Sequence, residues 1–305
     1  MKRGAFMLVH SSKQYRERVE FVAFAPTGEL YASSLDGLFR WPDPTAPART
    51  VMSGFRHIVY PRFSPCGRFF ATNQDKLSVY DRERNVNRVP QLSPNVWNTA
   101  TAFADGTLLM TQFTGRGAAS RIVARRLNPD NWNDDLWAAE VGAVRALVGC
   151  VAGDRLLYVM SWWDAGRVVY RYVQRDVRTG DVVDECDGPE PGTEFAVSAD
   201  GTLVATALNN RVTVMAAENC AEPLAQLKND GRKHFTGIAF HPSGKYLAAT
   251  SNDETVKLFD TNTWELAHSF TWKVGRMRSV AFSPDGALAA AGADKGQVVV
   301  WDVDL

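Results

Sequence analysis

Six stretches of the chain repeat one pattern of apolar and polar positions: "VAFAPTGELYAS", "PRFSPCGRFFAT", "TAFADGTLLMT", "FAVSADGTLVAT", "IAFHPSGKYLAAT" and "VAFSPDGALAAA". Each has a short β-rich run, a turn built from Pro, Asp and Gly, and a second apolar run, which together read as a β-hairpin. A weaker seventh copy, "LVGCVAGDRLLYVMSW", lies between the third and fourth of these. Anchored on Phe24, Phe63, Phe103, Cys150, Val197, Phe240 and Phe282, the units follow one another at 39, 40, 47, 47, 43 and 42 residues.

After each hairpin comes a third run, such as "TVKLFD" or "QVVVWD", and usually a fourth, such as "TWELAHSF". That is the content of one four-stranded antiparallel blade per repeat, and seven such units need roughly the whole chain. The expected fold is all-β, a single-domain seven-bladed β-propeller over residues 1–305. Its blades are expected at about 19–53, 57–92, 97–140, 143–187, 194–228, 235–271 and 277–305. The last unit is one strand short, and an apolar strand left as a sheet edge invites aggregation. The run "GAFMLVH", residues 4–10, has no hairpin of its own. It is expected to supply the missing outer strand and close the ring.

"SPDGALAAAGADKGQVVVWD" and "HPSGKYLAATSNDETVKLFD" resemble the WD-repeat family, and the seven-unit period extends the resemblance over essentially the whole chain. Trp301-Asp302 ends the third strand of the last unit as the family motif does, with Tyr80-Asp81 and Phe259-Asp260 as softened versions. Around 116–178 the likeness rests on spacing and turn chemistry. Blades of that family are often tied by a His, a Ser or Thr, an Asp and a Trp. This sequence keeps Asp253 with Thr250 or Ser251, but has Phe259 for Trp and Gly231 near the place of the His. The last unit keeps Asp294 and Trp301, with Lys273 for His and alanines for the hydroxyl. Asp253 and Asp294 are therefore read as structural turn residues in incomplete sets, and stability is expected to rest mainly on apolar packing, each large buried side chain contributing about 1.5–3 kcal/mol.

Charge and composition exclude little. Lys plus Arg (34) balances Asp plus Glu (34), so no net field points to nucleic acid or an anionic membrane as the default partner. The apolar run near the N-terminus is shorter than a signal-peptide core, and none approaches a membrane span. Cys66, Cys150, Cys186 and Cys220 form no CxxC pair and read as reduced packing residues. The expected location is cytoplasmic.

No catalytic constellation converges in the sequence, and no cofactor or metal site is expected. His234 and His241 flank a strand of about six residues, which separates them by about 20 Å. No HExxH, GxSxG, P-loop or Ca-loop pattern occurs. The glycines of "FTGRGAAS" read as a tight loop between strands. The acidic stretch "GDVVDECDGPEPG" reads as a solvated edge strand, and Arg167, Arg171 and Arg175 as partners of nearby carboxylates. Those arginines keep open a nucleic-acid or phospho-ligand module as an alternative; a propeller hydrolase with a channel metal is the other.

The remaining reading is a non-catalytic interaction platform for a protein or peptide, monomeric on its own. By the family resemblance, loops entering first strands and loops between second and third strands gather on one face. Arg16, His57, Trp97, Trp163, His234 and Arg276 are placed there as candidate contacts. Trp and Arg suit such a role because they join large buried area to directional polar groups. "NPDNWNDDLW" lengthens the third unit, and its Trp132 and Trp137 form a second candidate surface, either tucked onto the blade or offered to a partner.

Overall fold

In a computed structural model of the chain, the described residues are 18–43, 48–53, 62–73, 77–84, 86–88, 97–104, 107–114, 121–127, 131, 135–142, 148–152 and 154–303. Among them there are strands and turns but no helix, and hence none long and apolar enough to cross a membrane. The first antiparallel sheet holds β1 (Phe21–Phe24), β2 (Leu30–Ser34), β3 (Gly37–Trp41) and β4 (Arg49–Ser53). The second holds β5 (Arg62–Phe63), β6 (Phe69–Asn73), β7 (Leu77–Asp81) and β8 (Val86–Arg88). The third holds β9 (Trp97–Ala104), β10 (Thr107–Thr114), β11 (Arg121–Leu127) and β12 (Asp135–Gly142). The fourth holds β13 (Val148–Ala152), β14 (Arg155–Asp164), β15 (Arg167–Asp176) and β16 (Val182–Asp187). The fifth holds β17 (Glu194–Val197), β18 (Leu203–Leu208), β19 (Arg211–Ala216) and β20 (Asn219–Lys228). The sixth holds β21 (Phe235–Phe240), β22 (Tyr246–Ser251), β23 (Thr255–Asp260) and β24 (Leu266–Thr271). The seventh has three described strands, β25 (Met277–Phe282), β26 (Leu288–Ala293) and β27 (Val298–Asp302).

The repeated turn between first and second strands has one mechanism. In "SPDG" the Ser283 hydroxyl donates to Asp285 Oδ1 at 2.5 Å and accepts from Leu288 N at 2.9 Å, while Gly286 N donates to Ser283 O. Gly286 sits at φ +77°, a left-handed conformation that a side chain disfavours. "SADG" repeats this bond for bond: Ser198 donates to Asp200 and accepts from Leu203 N, and Gly201 N returns to Ser198 O. In "SPCG" the thiol of Cys66 stands where the aspartate would, 3.3 Å from Ser64 Oγ. The Ser, Asp and Gly spacing is thus a hydrogen-bonding unit, because a short polar side chain takes up backbone donors that no strand can reach.

The chain divides into two compact units. One contains the first, sixth and seventh sheets; in it the last sheet of the sequence packs against the first. The strand "LAAAGA" explains how. Ala289, Ala291 and Ala293 face Val256, Leu258 and Trp301, while Ala290 on the opposite side joins Val19, Val22, Leu30 and Trp41. A strand covered on both faces by large side chains must itself be small, because interiors are close-packed. Val19 N donates to Ala293 O at 3.0 Å, tying the chain before β1 to the end of β26. Gly292 lies against that contact: a Cβ there would stand 2.6 Å from Val19 Cγ1 and 3.0 Å from Val19 O.

The other unit contains the second, third and fourth sheets and most of the fifth. Its apolar layers run between consecutive sheets. Ala71 and Val79 meet Phe103 and Leu108. Leu109 meets Leu156, Tyr158 and Val173. Leu157, Val159 and Tyr172 meet Val204, Met215 and Cys220. Alternation along β14 supplies both of the last two layers, so successive side chains of one strand serve different neighbours.

In the seventh sheet Val298, Val299, Val300 and Trp301 are all buried, with Trp272 and Phe270 packed on Trp301 at ring-centroid distances of 4.9 and 6.0 Å. No fourth strand pairs with β27 among the described residues. Residues 4–10, expected there from the sequence, lie outside the described residues.

Replacing Gly292 with Ala is expected to lower the unfolding free energy by about 1–3 kcal/mol, the usual cost of overpacking a filled core. Urea denaturation of the two proteins checks this; equal midpoints would mean that the first and last sheets do not meet at Val19.

Candidate interaction surface

In the sixth and seventh sheets the loop entering the first strand is bolted to the turn between the second and third strands. His234 N donates to Asn252 Oδ1 and Asn252 N to His234 O, both at 3.0 Å. Arg276 N donates to Asp294 Oδ1 and Asp294 N to Arg276 O, both at 2.9 Å. His234 and Arg276 are 42 residues apart, as are Asn252 and Asp294, so the two brackets are equivalent positions of successive repeats. The His234 and Arg276 side chains point to solvent from a backbone held on both sides.

This register separates two aspartates that the sequence presents as a pair. Asp294 belongs with Asn252. Asp253 is one place further on and serves its own turn, accepting from Thr255 N at 3.0 Å, Thr255 Oγ1 at 2.5 Å and Lys257 Nζ at 2.6 Å. Burial alone would push the Asp253 carboxyl up, but Lys257, Thr255 and Ser251 outweigh it and hold it below the ordinary carboxylate range. The residue that sequence reasoning misses is Asn229. It is 5% exposed and donates from Nδ2 to Ser251 Oγ at 2.6 Å and to Lys233 O at 3.1 Å, two residues before the glycine that stands near the expected His. The sequence carries no local sign of this role, since both the burial that makes the amide require partners and the partner 22 residues on are set by the fold. In the last repeat, which has alanines where the hydroxyl would be, Trp301 Nε1 is buried with no partner among the described residues.

The fourth sheet carries the longest hairpin, two strands of ten residues joined by Ala165 and Gly166 at φ 46° and 82°. Two residues with positive φ make a tight connection that matches strand twist. Trp163, beside this turn and paired with Val168, is 64% exposed, the largest exposure among the large apolar side chains described. Its neighbour Trp162 points the other way and lies 5.0 Å from the Arg171 guanidinium. Arg171 in turn pairs with Asp187 at 2.8 Å and Glu185 at 3.3 Å. Arg175 is buried, donating to Tyr158 Oη at 2.7 Å and Gly180 O at 2.6 Å. Glu185 and Asp187 of the acidic edge strand therefore hold Arg171, and the core holds Arg175, while Arg167 is exposed at the hairpin turn.

Trp137 is committed to the interior. Its Nε1 donates to Val177 O at 2.8 Å, the same carbonyl that accepts from Arg126 Nη1 at 3.0 Å, and its ring lies over Gly180. Of the tucked and offered placements, the tucked one is observed. Trp132, Arg16 and His57 lie outside the described residues, and Trp97 opens β9. His241 contacts Gly286 O at 2.9 Å and the Phe282 ring, far from any role shared with His234. Among the described residues no three His, Cys, Asp or Glu side chains converge on a metal position. Cys66, Cys186 and Cys220 are free, and burial pushes the Cys220 thiol up to about 12, so it is protonated and packs as a small apolar group.

The family pattern described as WD domain, G-beta repeat, matches residues 222–260 and 264–302. Each matched span opens on the outer strand of one sheet and runs through three strands of the next, so sequence repeat and sheet are out of step by one strand. The chain is 32% identical over 113 residues to SVP1-like protein 2 of Neurospora crassa, covering 36% of this chain and 25% of that one. It is 33% identical over 90 residues to the serine-threonine kinase receptor-associated protein of Gallus gallus, covering 29% and 26%. It is 26% identical over 140 residues to the meiotic recombination protein rec14 of Schizosaccharomyces pombe, covering 45% of each chain. The matched stretches span less than half the length of these relatives.

Burial pushes the Glu194 carboxyl, at the start of β17, up to about 7, with Arg62 pulling the other way. An unfolded glutamate titrates near 4.3, so the native state holds this proton more tightly, and the group costs stability progressively as the pH rises from about 4 to about 7. Glu194→Gln is expected to exceed the parent protein in stability at pH 8 and to match it more closely at pH 5. Denaturation at both pH values checks this, and an unchanged pH dependence would contradict it.

Proposed function

Because the chain belongs to the WD-repeat family, we propose that it is a non-catalytic platform for a protein or peptide partner, monomeric on its own and placed in a reducing, cytoplasmic compartment. The proposed architecture is a seven-bladed β-propeller whose last blade takes residues 4–10 as its fourth strand. Seven sheets in the described chain, the packing of the last against the first, and the buried residues of β27 support that architecture. The free thiols of Cys66, Cys186 and Cys220 support the compartment.

The observation that carries the platform reading is the pair of equivalent brackets at His234 with Asn252 and Arg276 with Asp294. They present exposed polar side chains from backbone that is already ordered, so a partner docking there immobilises little further chain. Trp163 offers the complementary feature, a large exposed apolar surface beside a two-residue turn. Arg16, His57 and Trp97 are proposed to complete the contacting loops. The Gallus gallus relative bears the name of a receptor-associated protein, which supports an association role for this chain as well.

Affinity capture from native lysate, with mass spectrometry, compares the parent protein with a folded Trp163→Ala, His234→Ala, Arg276→Ala variant. The expected outcome is a small set of proteins held by the parent and lost by the variant. All three side chains are exposed, and surface truncations of this kind usually change stability by less than about 0.5 kcal/mol. Identical capture by the two proteins would reject these loops as the docking surface.

A further inference from the structure

The long hairpin of the fourth sheet outgrows its neighbours. β13 pairs with β14 no further than Val159, and β16 pairs with β15 no nearer the turn than Arg171. Among the described strands, residues 160–164 and 167–170 therefore form a two-stranded ribbon that turns at Ala165 and Gly166. The ribbon carries one indole on each face, because Trp162 and Trp163 are consecutive in a strand. Their surroundings obey the same register. Trp162 is opposite Val169, and two residues beyond that valine, on the same face, is Arg171. Trp163 is opposite Val168, and two residues beyond, on its own face, is Tyr170. Diagonal neighbours of this kind are within reach of long side chains.

On the first face that reach is used. The Arg171 guanidinium lies 5.0 Å from the Trp162 ring centre and is braced by Asp187 at 2.8 Å and Glu185 at 3.3 Å. Indole, guanidinium and carboxylates make one closed unit, which suits arginine because its planar group stacks on a ring and pairs with an oxygen at once. On the second face two of the three parts are present. Trp163 is 64% exposed, with no cation over its ring among the described residues. Tyr170 donates its hydroxyl to Glu190 Oε1 at 3.1 Å, which places a carboxylate on this face. Glu190 is exposed and has no ion pair among the described residues. The sheet's own third strand cannot supply the missing cation, since Arg167, Arg171 and Arg175 all alternate onto the opposite face.

We propose that Trp163 and Glu190 receive an arginine side chain presented by a partner polypeptide, its guanidinium stacking on the indole and pairing with the carboxylate as Arg171 does on the other face. Val168, paired with Trp163, gives the residues flanking that arginine an apolar surface to cover. The peptide part rests on the platform reading above.

The test is nuclear magnetic resonance of the full chain labelled with nitrogen-15 tryptophan, in which the Trp163 indole N–H signal is identified by its loss in Trp163→Phe. The probe is a capped leucine-arginine-leucine tripeptide, against the same peptide with citrulline, which keeps the shape of arginine and lacks its charge. The arginine peptide is expected to shift the Trp163 signal saturably, and the citrulline peptide to leave it in place. Glu190→Gln is expected to raise the dissociation constant at least about threefold, the loss of an exposed charge-assisted contact. Glu265→Gln, at an exposed glutamate between β23 and β24, is expected to bind as the parent does. The citrulline comparison needs no variant, so the test stands if Glu190→Gln does not fold. No shift with the arginine peptide, equal shifts with the two peptides, or unchanged binding by folded Glu190→Gln would overturn the proposal while leaving lysate capture by the platform intact. Free arginine binding as tightly as the tripeptide would overturn the peptide part. Arginine-dependent binding together with identical lysate capture by parent and triple variant would instead remove the platform reading.

Discussion

Each sheet of this chain is useful to the fold only if both of its faces are covered, and that requirement shapes the sequence more than any single contact. A strand inside one sheet meets a different neighbour on each side, so its alternate residues belong to two apolar layers. β14 supplies Leu156 and Tyr158 to one layer and Leu157 and Val159 to the other. β26 solves the same problem with alanines, because Val19, Trp41, Leu258 and Trp301 already fill the space on its two faces. Size, not polarity, is selected there. Hydrophobic burial then provides most of the stabilisation, and the polar residues are free to define turns and loops.

That division explains what was legible in the sequence. The hairpin grammar reads directly because Ser283, Asp285 and Gly286, like Ser198, Asp200 and Gly201, form a local unit whose hydrogen bonds close within six residues. All-β character and antiparallel sheets of three or four strands follow from it. Long-range polar pairing was harder to read. Asn229 acts on Ser251 across 22 residues, and an asparagine alone does not announce its partner. Asp253 and Asp294 look alike in sequence but occupy successive places in the turn, which only the brackets to His234 and Arg276 reveal. Trp137 and Trp163 were equally ambiguous, and their fates diverged for a physical reason: Val177 O offers the first an acceptor next to an apolar layer, while the second sits beside a two-residue turn and is 64% exposed.

The same logic accounts for the buried arginines. Buried arginines such as Arg126 and Arg175 are consumed by carbonyl, hydroxyl and phenol acceptors, and Arg171 by edge carboxylates. Arg18 and Arg276, by contrast, are exposed. Covering the sheets therefore also joins the first and last sheets of the sequence, through Val19, Trp41 and Ala290.

Whether the N-terminal segment completes the seventh sheet is decided by thermal unfolding of the chain lacking residues 1–10. Loss of a strand that pairs with β27 would expose its edge and the packing around Trp301, so melting is expected to fall by at least about 5 °C, with reduced solubility. Unchanged melting and solubility would show that residues 4–10 do not complete the seventh sheet.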